Sequence, residues 1–154
     1  MSNKMYINIY KGLPLFLEEV KATALAREIG KSSVWITQKS HHSIVKGRAL
    51  EFYAHDVDLV NEGLKRIGEW IANHLIDIDS TREEQIAQIR EVGTKVCLPY
   101  IYTNVMSKDK RWFESRMYTR PTGNNITFKP DEILAINRGL LQISADLSGI
   151  SLTL

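Results

Sequence analysis

Apolar residues recur at three- and four-residue steps in two long stretches of the chain. Val57, Val60, Leu64, Ile67 and Ile71 make one stripe, and Ile133, Ile136, Leu140, Ile143 and Leu147 make another. That spacing lines one face of an α-helix, and each stretch predicts a helix of about twenty residues, roughly 30 Å long. In the second stretch Pro130 falls at the first helical position, and Asp131 and Glu132 follow it. A fixed φ and negative charge both suit a helix start. Shorter helices are predicted over residues 13–21 and from about residue 82, where Ser80 with Glu83, or Thr81 with Glu84, reads as a capping box and Gly93 as an end. Residues 5–10, MYINIY, alternate weakly and read either as a short strand or as an arm.

The two long stripes are copies of each other. At an offset of 76, residues 52–71 and 128–147 share 5 identities in 20 positions: Phe52/Phe128, Asn61/Asn137, Gly63/Gly139, Leu64/Leu140 and Ile67/Ile143. Composition alone gives roughly one. Asp56/Glu132, Val57/Ile133, Val60/Ile136 and Ile71/Leu147 are close substitutions. Upstream the offset becomes 77, matching Lys31 with Lys108, Trp35 with Trp112 and Lys39 with Arg116. The period is too long for a solenoid unit and indicates two tandem copies of one small domain, residues 11–76 and 80–150. A glycine inside a helix costs about 1 kcal/mol relative to alanine. Its occurrence at Gly63 and again at Gly139 suggests that another helix crosses closely at both points, the plainer alternative being an accidental duplicate of a tolerated glycine.

Residues 24–39, ALAREIGKSSVWITQK, have the grammar of a helix-turn-helix. Leu25 and Ile29 share a face, Ala26 is small where two helices meet, and Gly30 permits the positive φ of a tight turn. Ser32 is a good N-cap, and Trp35 and Ile36 face inward. This leaves Ser33, Val34, Thr37 and Gln38 outward, the face that enters a major groove in such motifs. In the second copy, residues 99–117, Thr103 replaces Ala26, Ser107 replaces Gly30 and Asp109 caps. Trp112 and Phe113 repeat the anchor, and Lys110, Arg111, Glu114 and Ser115 form the outward set. Positive charge gathers in the same places. Residues 21–48 hold a net +5 and residues 104–120 a net +3, whereas residues 49–76 hold −3. A phosphate backbone favours that distribution. A solvated charged face is the plainer alternative.

The segment GKSSVWI, followed by a polar loop, an aromatic residue and a long amphipathic helix, resembles small bacterial and phage-type helix-turn-helix proteins with a G-K-S-x-x-W-aliphatic signature. SKDKRWF…NNITFKPDE in the second copy is similar to the same pattern. More loosely, both copies look like lambda-repressor-like domains. The resemblance implies an all-helical bundle, DNA binding and frequent dimerisation. It implies backbone contacts at Lys31 and Lys108 and base-facing positions at 33, 34, 37 and 38 and at 110, 111, 114 and 115.

Composition adds bounds rather than direction. The chain has 154 residues, a net charge of +2, 44% hydrophobic and 25% charged residues, an ordinary globular mix. It has no apolar run of membrane-spanning length and no secretory leader, so a cytoplasmic protein is expected. Cys97 is the single cysteine, which excludes an intrachain disulfide and a cysteine zinc site. Gly30-Lys31-Ser32 looks like the tail of a phosphate-binding loop, but position 25 is Leu where that loop needs glycine. His41 and His42 are adjacent and so splay apart, and His55 and His74 stand alone, which gives no metal pair. No carboxylate pair, nucleophile elbow or Cys–His arrangement points to catalysis, and no cofactor is expected.

The sequence therefore predicts an all-α protein of two tandem helix-turn-helix modules. Its expected function is non-enzymatic binding of double-stranded DNA in transcription regulation, with a homodimer as a further partner. Affinity is assigned to Lys31, Lys39, Lys108 and Arg116, and sequence preference to the two outward faces. The alternative is a helical interaction or assembly module that binds protein and keeps the fold.

Overall fold

A computed structural model describes residues 4–154. Twelve elements follow one another along it. Strand β1 (Met5–Asn8) leads into α1 (Ile9–Glu19), α2 (Ala22–Ile29) and α3 (Ser33–Ser40). A hairpin of β2 (Ile44–Val45) and β3 (Arg48–Ala49) precedes the first long helix, α4 (Ala54–Ala72). The second half holds α5 (Arg82–Val92), a π-helical turn (Tyr100–Val105), α6 (Lys110–Met117), the second long helix α7 (Pro130–Gly149) and β4 (Ile150–Thr153).

The chain is not all-α. It is mostly helical but carries two small sheets. Strand β1 pairs in parallel with β4, Met5 opposite Ile150 through Asn8 opposite Thr153, so the two ends of the described chain lie side by side. β2 and β3 pair antiparallel. β1 falls outside residues 11–76 and 80–150, and β4 begins at the last residue of the second span and runs past it. At four residues each, they are too short for alternation to separate strand from arm. Among the described residues no helix is long and apolar enough to cross a membrane.

The two copies share one hydrophobic core. Ile9, Leu13, Leu25, Ile36, Leu64 and Ile67 of the first copy join Ile89, Ile101, Ile133, Leu140 and Ile143 of the second in a single cluster. The contacts across it are reciprocal at the repeat offset. Lys21 N donates to Lys95 O, and its counterpart Cys97 N donates to Glu19 O, both at 2.8 Å. Between them Val20 bridges Val96, its own repeat mate. The long helices cross where Ser144 Oγ donates to Gly68 O at 2.7 Å, again a mate pair. Asn61 clasps the backbone of Leu152, donating to its O at 2.9 Å and accepting from its N at 2.8 Å. Asn137 does the same to Ile76 at the same two distances. If residue i touches j and the mate of i touches the mate of j, the relation is two-fold. The chain is an internal pseudo-dimer whose dyad passes through Val20/Val96 and Gly68/Ser144.

The close helix crossings implied by the twin glycines are present. A Cβ on Gly63 would strike Ile29, and a Cβ on Gly139 would lie 2.9 Å from Ile101 Cδ1 and 3.2 Å from Val105 Cγ2. These contacts align Leu25 with Ile101 and Ile29 with Val105, at an offset of 76. Tyr102, not Thr103, therefore stands in the place of Ala26, and both are buried whereas Thr103 is exposed. The residue that moves the offset to 77 is taken up by the π-helical turn, where Met106 N reaches back to Ile101 O and Lys108 N to Tyr102 O. Such a turn is the usual way a helix absorbs one extra residue.

Candidate nucleic-acid interface

Each candidate segment is built from two short helical pieces and a left-handed turn. Gly30 takes φ 69° between α2 and α3, and Ser107 takes φ 55° before α6. Ser32 Oγ accepts from Trp35 N at 3.1 Å to start α3, and Asp109 Oδ1 accepts from Trp112 N at 2.8 Å to start α6. Behind them Trp35 meets Phe52 edge-on at 5.8 Å, and Trp112 meets Phe128 edge-on at 6.0 Å.

The basic residues assigned to DNA divide into two sets. Lys31, Lys108, Lys110 and Arg111 are exposed. Lys31 Nζ sits 5.3 Å from the Trp35 ring centre, and Lys108 Nζ sits 5.5 Å from that of Trp112. Each keeps its ammonium at the surface on an aromatic support. Lys110 lies 3.6 Å from Glu114 one turn on, an exposed pair that contributes little. Lys39 and Arg116 are turned inward. Lys39 Nζ donates to Asp56 at 2.8 Å and to Glu51 O at 3.1 Å, and lies 4.9 Å from both the Trp35 and Tyr53 rings. Arg116 Nε meets Glu132 at 3.3 Å, with its guanidinium carbon 4.3 Å from the Trp112 ring centre. Each carboxylate also accepts from the backbone N–H that opens a long helix, Asp56 from Tyr53 and Glu132 from Lys129. Burial by itself would raise Asp56. The Lys39 hydrogen bond, the Tyr53 N–H and the charges of Lys39 and His55 together hold it below its ordinary range. Lys39 and Arg116 thus fasten α3 and α6 to the starts of α4 and α7, and both charges are paired there.

The outward sets are only partly open. Val34 is 58% exposed and Thr37 is exposed, but Ser33 and Gln38 are half-buried. Thr37 Oγ1 donates to Ser33 O, and Gln38 O accepts from Ser43 N, both at 2.9 Å. On α6, Lys110, Arg111 and Glu114 are exposed, while Ser115 Oγ donates to Trp112 O at 2.7 Å. An open groove of about 850 Å³ runs along this face, lined by Arg90 of α5 with Lys110, Arg111, Glu114, Met117 and Tyr118.

Arg90 and Arg82 are not among the residues that the sequence singles out. Arg82, with a side chain 8% exposed, donates to Ile126 O, Thr119 Oγ1, Arg116 O and Tyr118 O at 2.8–3.1 Å and pins the loop after α6. A capping position predicts such an arginine's place on the helix but not the loop it reaches. The cap itself is the Thr81–Glu84 box.

Chemistry elsewhere is sparse. Glu19 is pushed up to about 7, first by burial and then by Asp146, against the opposing hydrogen bond from Tyr100. The mates of Glu19 and Asp146 are Lys95 and Trp70, which meet as a cation over a ring at 5.1 Å. Burial raises the Cys97 thiol. Among the described residues no group of three or more His, Cys, Asp or Glu side chains is placed to hold a metal ion.

Compared with family models, with curated proteins and with solved structures, the chain matches none.

Proposed function

We propose that the chain is a non-enzymatic DNA-binding protein that lays α3 and α6 in successive major grooves of one duplex and acts in transcription regulation. The observation that carries this reading is the duplicated, dyad-related pair of capped helices, each bearing exposed residues beside exposed cations. Paired half-sites about 34 Å apart are the geometry that two-fold proteins use on DNA. Here one chain supplies both halves. Lys31 and Lys108 contact phosphates, and Lys110, Arg111, Val34 and Thr37 face bases. Lys39 and Arg116 act as supports. The outward residues differ between copies, so the expected site is asymmetric.

A salt-titrated gel shift on duplex DNA tests this. Binding at about 50 mM salt that weakens linearly in log K against log salt is expected. No binding to any duplex overturns it. On a selected site, Arg111→Ala costs about 1–3 kcal/mol at one base pair if it pairs with guanine.

A protein-binding interaction module is the second reading, favoured by Val34 at 58% and Tyr118 at 61% exposure beside the reading helices. Light scattering with and without duplex separates the two. The DNA reading expects one chain per duplex site, and a second copy that assembles without DNA favours the module.

A further inference from the structure

The hairpin between α3 and α4 has no counterpart in the second copy and no core of its own. Ile44 is 76% exposed and Val45 39%, and a Cβ on Gly47 would meet nothing within 4 Å. Two strands without a packed face are marginal in water. This pair is held instead at its base. Ser43 N donates to Gln38 O at the end of α3, and Leu50 N donates to Ser43 O, both at 2.9 Å. His42, at φ 51°, stacks on Tyr10 at 4.3 Å, and the Tyr10 hydroxyl accepts from Phe52 N at 2.8 Å. The base is thus tied to the reading helix on one side and to α1 and the entry to α4 on the other.

The tip is cationic. Lys46 and Gly47 are the two turn residues, at φ 53° and 77°, the positive pair that a tight hairpin requires. Asn or Asp would take the first position with less strain than lysine, so a charge stands where the conformation does not favour it. Arg48 follows and lines a crevice of about 360 Å³ with Lys39, Leu50, Glu51 and Tyr53. No acidic residue occurs between Glu28 and Glu51. The corresponding loop of the second copy, residues 117–128, carries one cation, Arg120, and is pinned by Arg82.

We infer that the hairpin Ser43–Leu50 is a second DNA-contacting element, in which Lys46 and Arg48 bind phosphates flanking the groove that α3 occupies. This rests on the DNA-binding reading. Legs of three extended residues reach about 10 Å beyond the helix end. A two-stranded ribbon also fits against duplex DNA as a helix does. The contact is sequence-independent and confined to the first copy, so it makes the grip on the two half-sites unequal.

The test uses the full chain and a mixed-sequence duplex of about two helical turns. Each phosphate contact contributes about 0.9 to the slope of log K against log salt, so Lys46→Ala with Arg48→Ala lowers it by about 1.8. Lys46→Arg with Arg48→Lys keeps the slope. Lys65→Ala, removing one exposed charge on the flank of α4, keeps it as well. An unchanged slope in the double alanine variant overturns the hairpin contact and leaves the DNA reading intact, and so does an equal loss per charge in Lys65→Ala. If the unmodified chain binds no duplex, the DNA reading itself fails and takes the hairpin contact with it. Circular dichroism confirms that each variant is folded. Both substituted side chains are exposed, so the melting curve stays in place.

Discussion

Lys39 is held by a carboxylate, a carbonyl and two aromatic rings at once, and its side chain is only 12% exposed. Its partner Asp56 is 4% exposed. Removing one member of a buried pair leaves the other charge desolvated, which costs about 3–5 kcal/mol. Lys39→Ala is therefore expected to lower unfolding free energy by about 3 kcal/mol in urea titration, whereas Lys31→Ala, at an exposed site, costs under about 1 kcal/mol. The pH dependence has a definite sign. The folded state holds Asp56 below its ordinary value of 3.8, so the pair's contribution is present above that value and lost as pH falls through the folded value. The gap between the unmodified chain and Lys39→Ala closes in acid. In sequence Lys39 is one cation of a charged run, and such a run does not reveal which members are paired. The repeat does hold a clue, since a cation at 39 and 116 recurs together with an acid at 56 and 132, but only packing shows that they meet.

At the scale of elements, periodicity carries the long helices and fails for the short pieces. The stripes of α4 and α7 are each several turns long, and Pro130 marks the start of one. β1 and β4 have four residues each, and their parallel partnership joins the two ends of the described chain, a separation that local pattern does not encode. The hairpin turn carries Lys-Gly rather than Asn-Gly, and its strands are two residues long, below what alternation resolves. The π-helical turn is not legible, because the sequence pattern carries the offset of 77 back to Ala26 and Thr103, whereas the contacts restore 76 at Ile101 and Val105. The mid-helix glycines are legible because their cost demands a reason. That reason gives a prediction: Gly139→Ala pushes a methyl to 2.9 Å from Ile101 and is expected to cost about 1–3 kcal/mol, with Gly63→Ala costing at least as much. At Gly149, in the last turn of α7, an added methyl would point into open space, and φ is not positive. Gly149→Ala is therefore expected to gain about 0.5 kcal/mol. Thermal melts of the three variants check the contrast, and equal losses at all three positions contradict it.

At the scale of the molecule, the repeat implies two bodies, and the contacts join them into one. Each copy lends the other the residue that closes it. Leu152, after α7, lies on α4 under Asn61, and Ile76, after α4, lies on α7 under Asn137. Both captured residues are buried, at 2% and 3% exposure. Neither half keeps its core complete without the other, so the chain is expected to unfold in a single cooperative transition. Trp35, Trp70 and Trp112 sample both halves and both long-helix surroundings, so fluorescence and far-UV circular dichroism should give coincident curves. Substituting either asparagine leaves a backbone N–H and C=O unpaired, at about 2 kcal/mol. For a domain of this length that moves the midpoint by about 5 °C. Asn61→Ala and Asn137→Ala are each expected to shift the whole curve by that amount, because each clasp spans the two copies. Two separate transitions, or a shift confined to the half that carries the substitution, would mean that the copies fold as independent units. The fixed relation of α3 to α6, on which a two-groove contact depends, would then be lost.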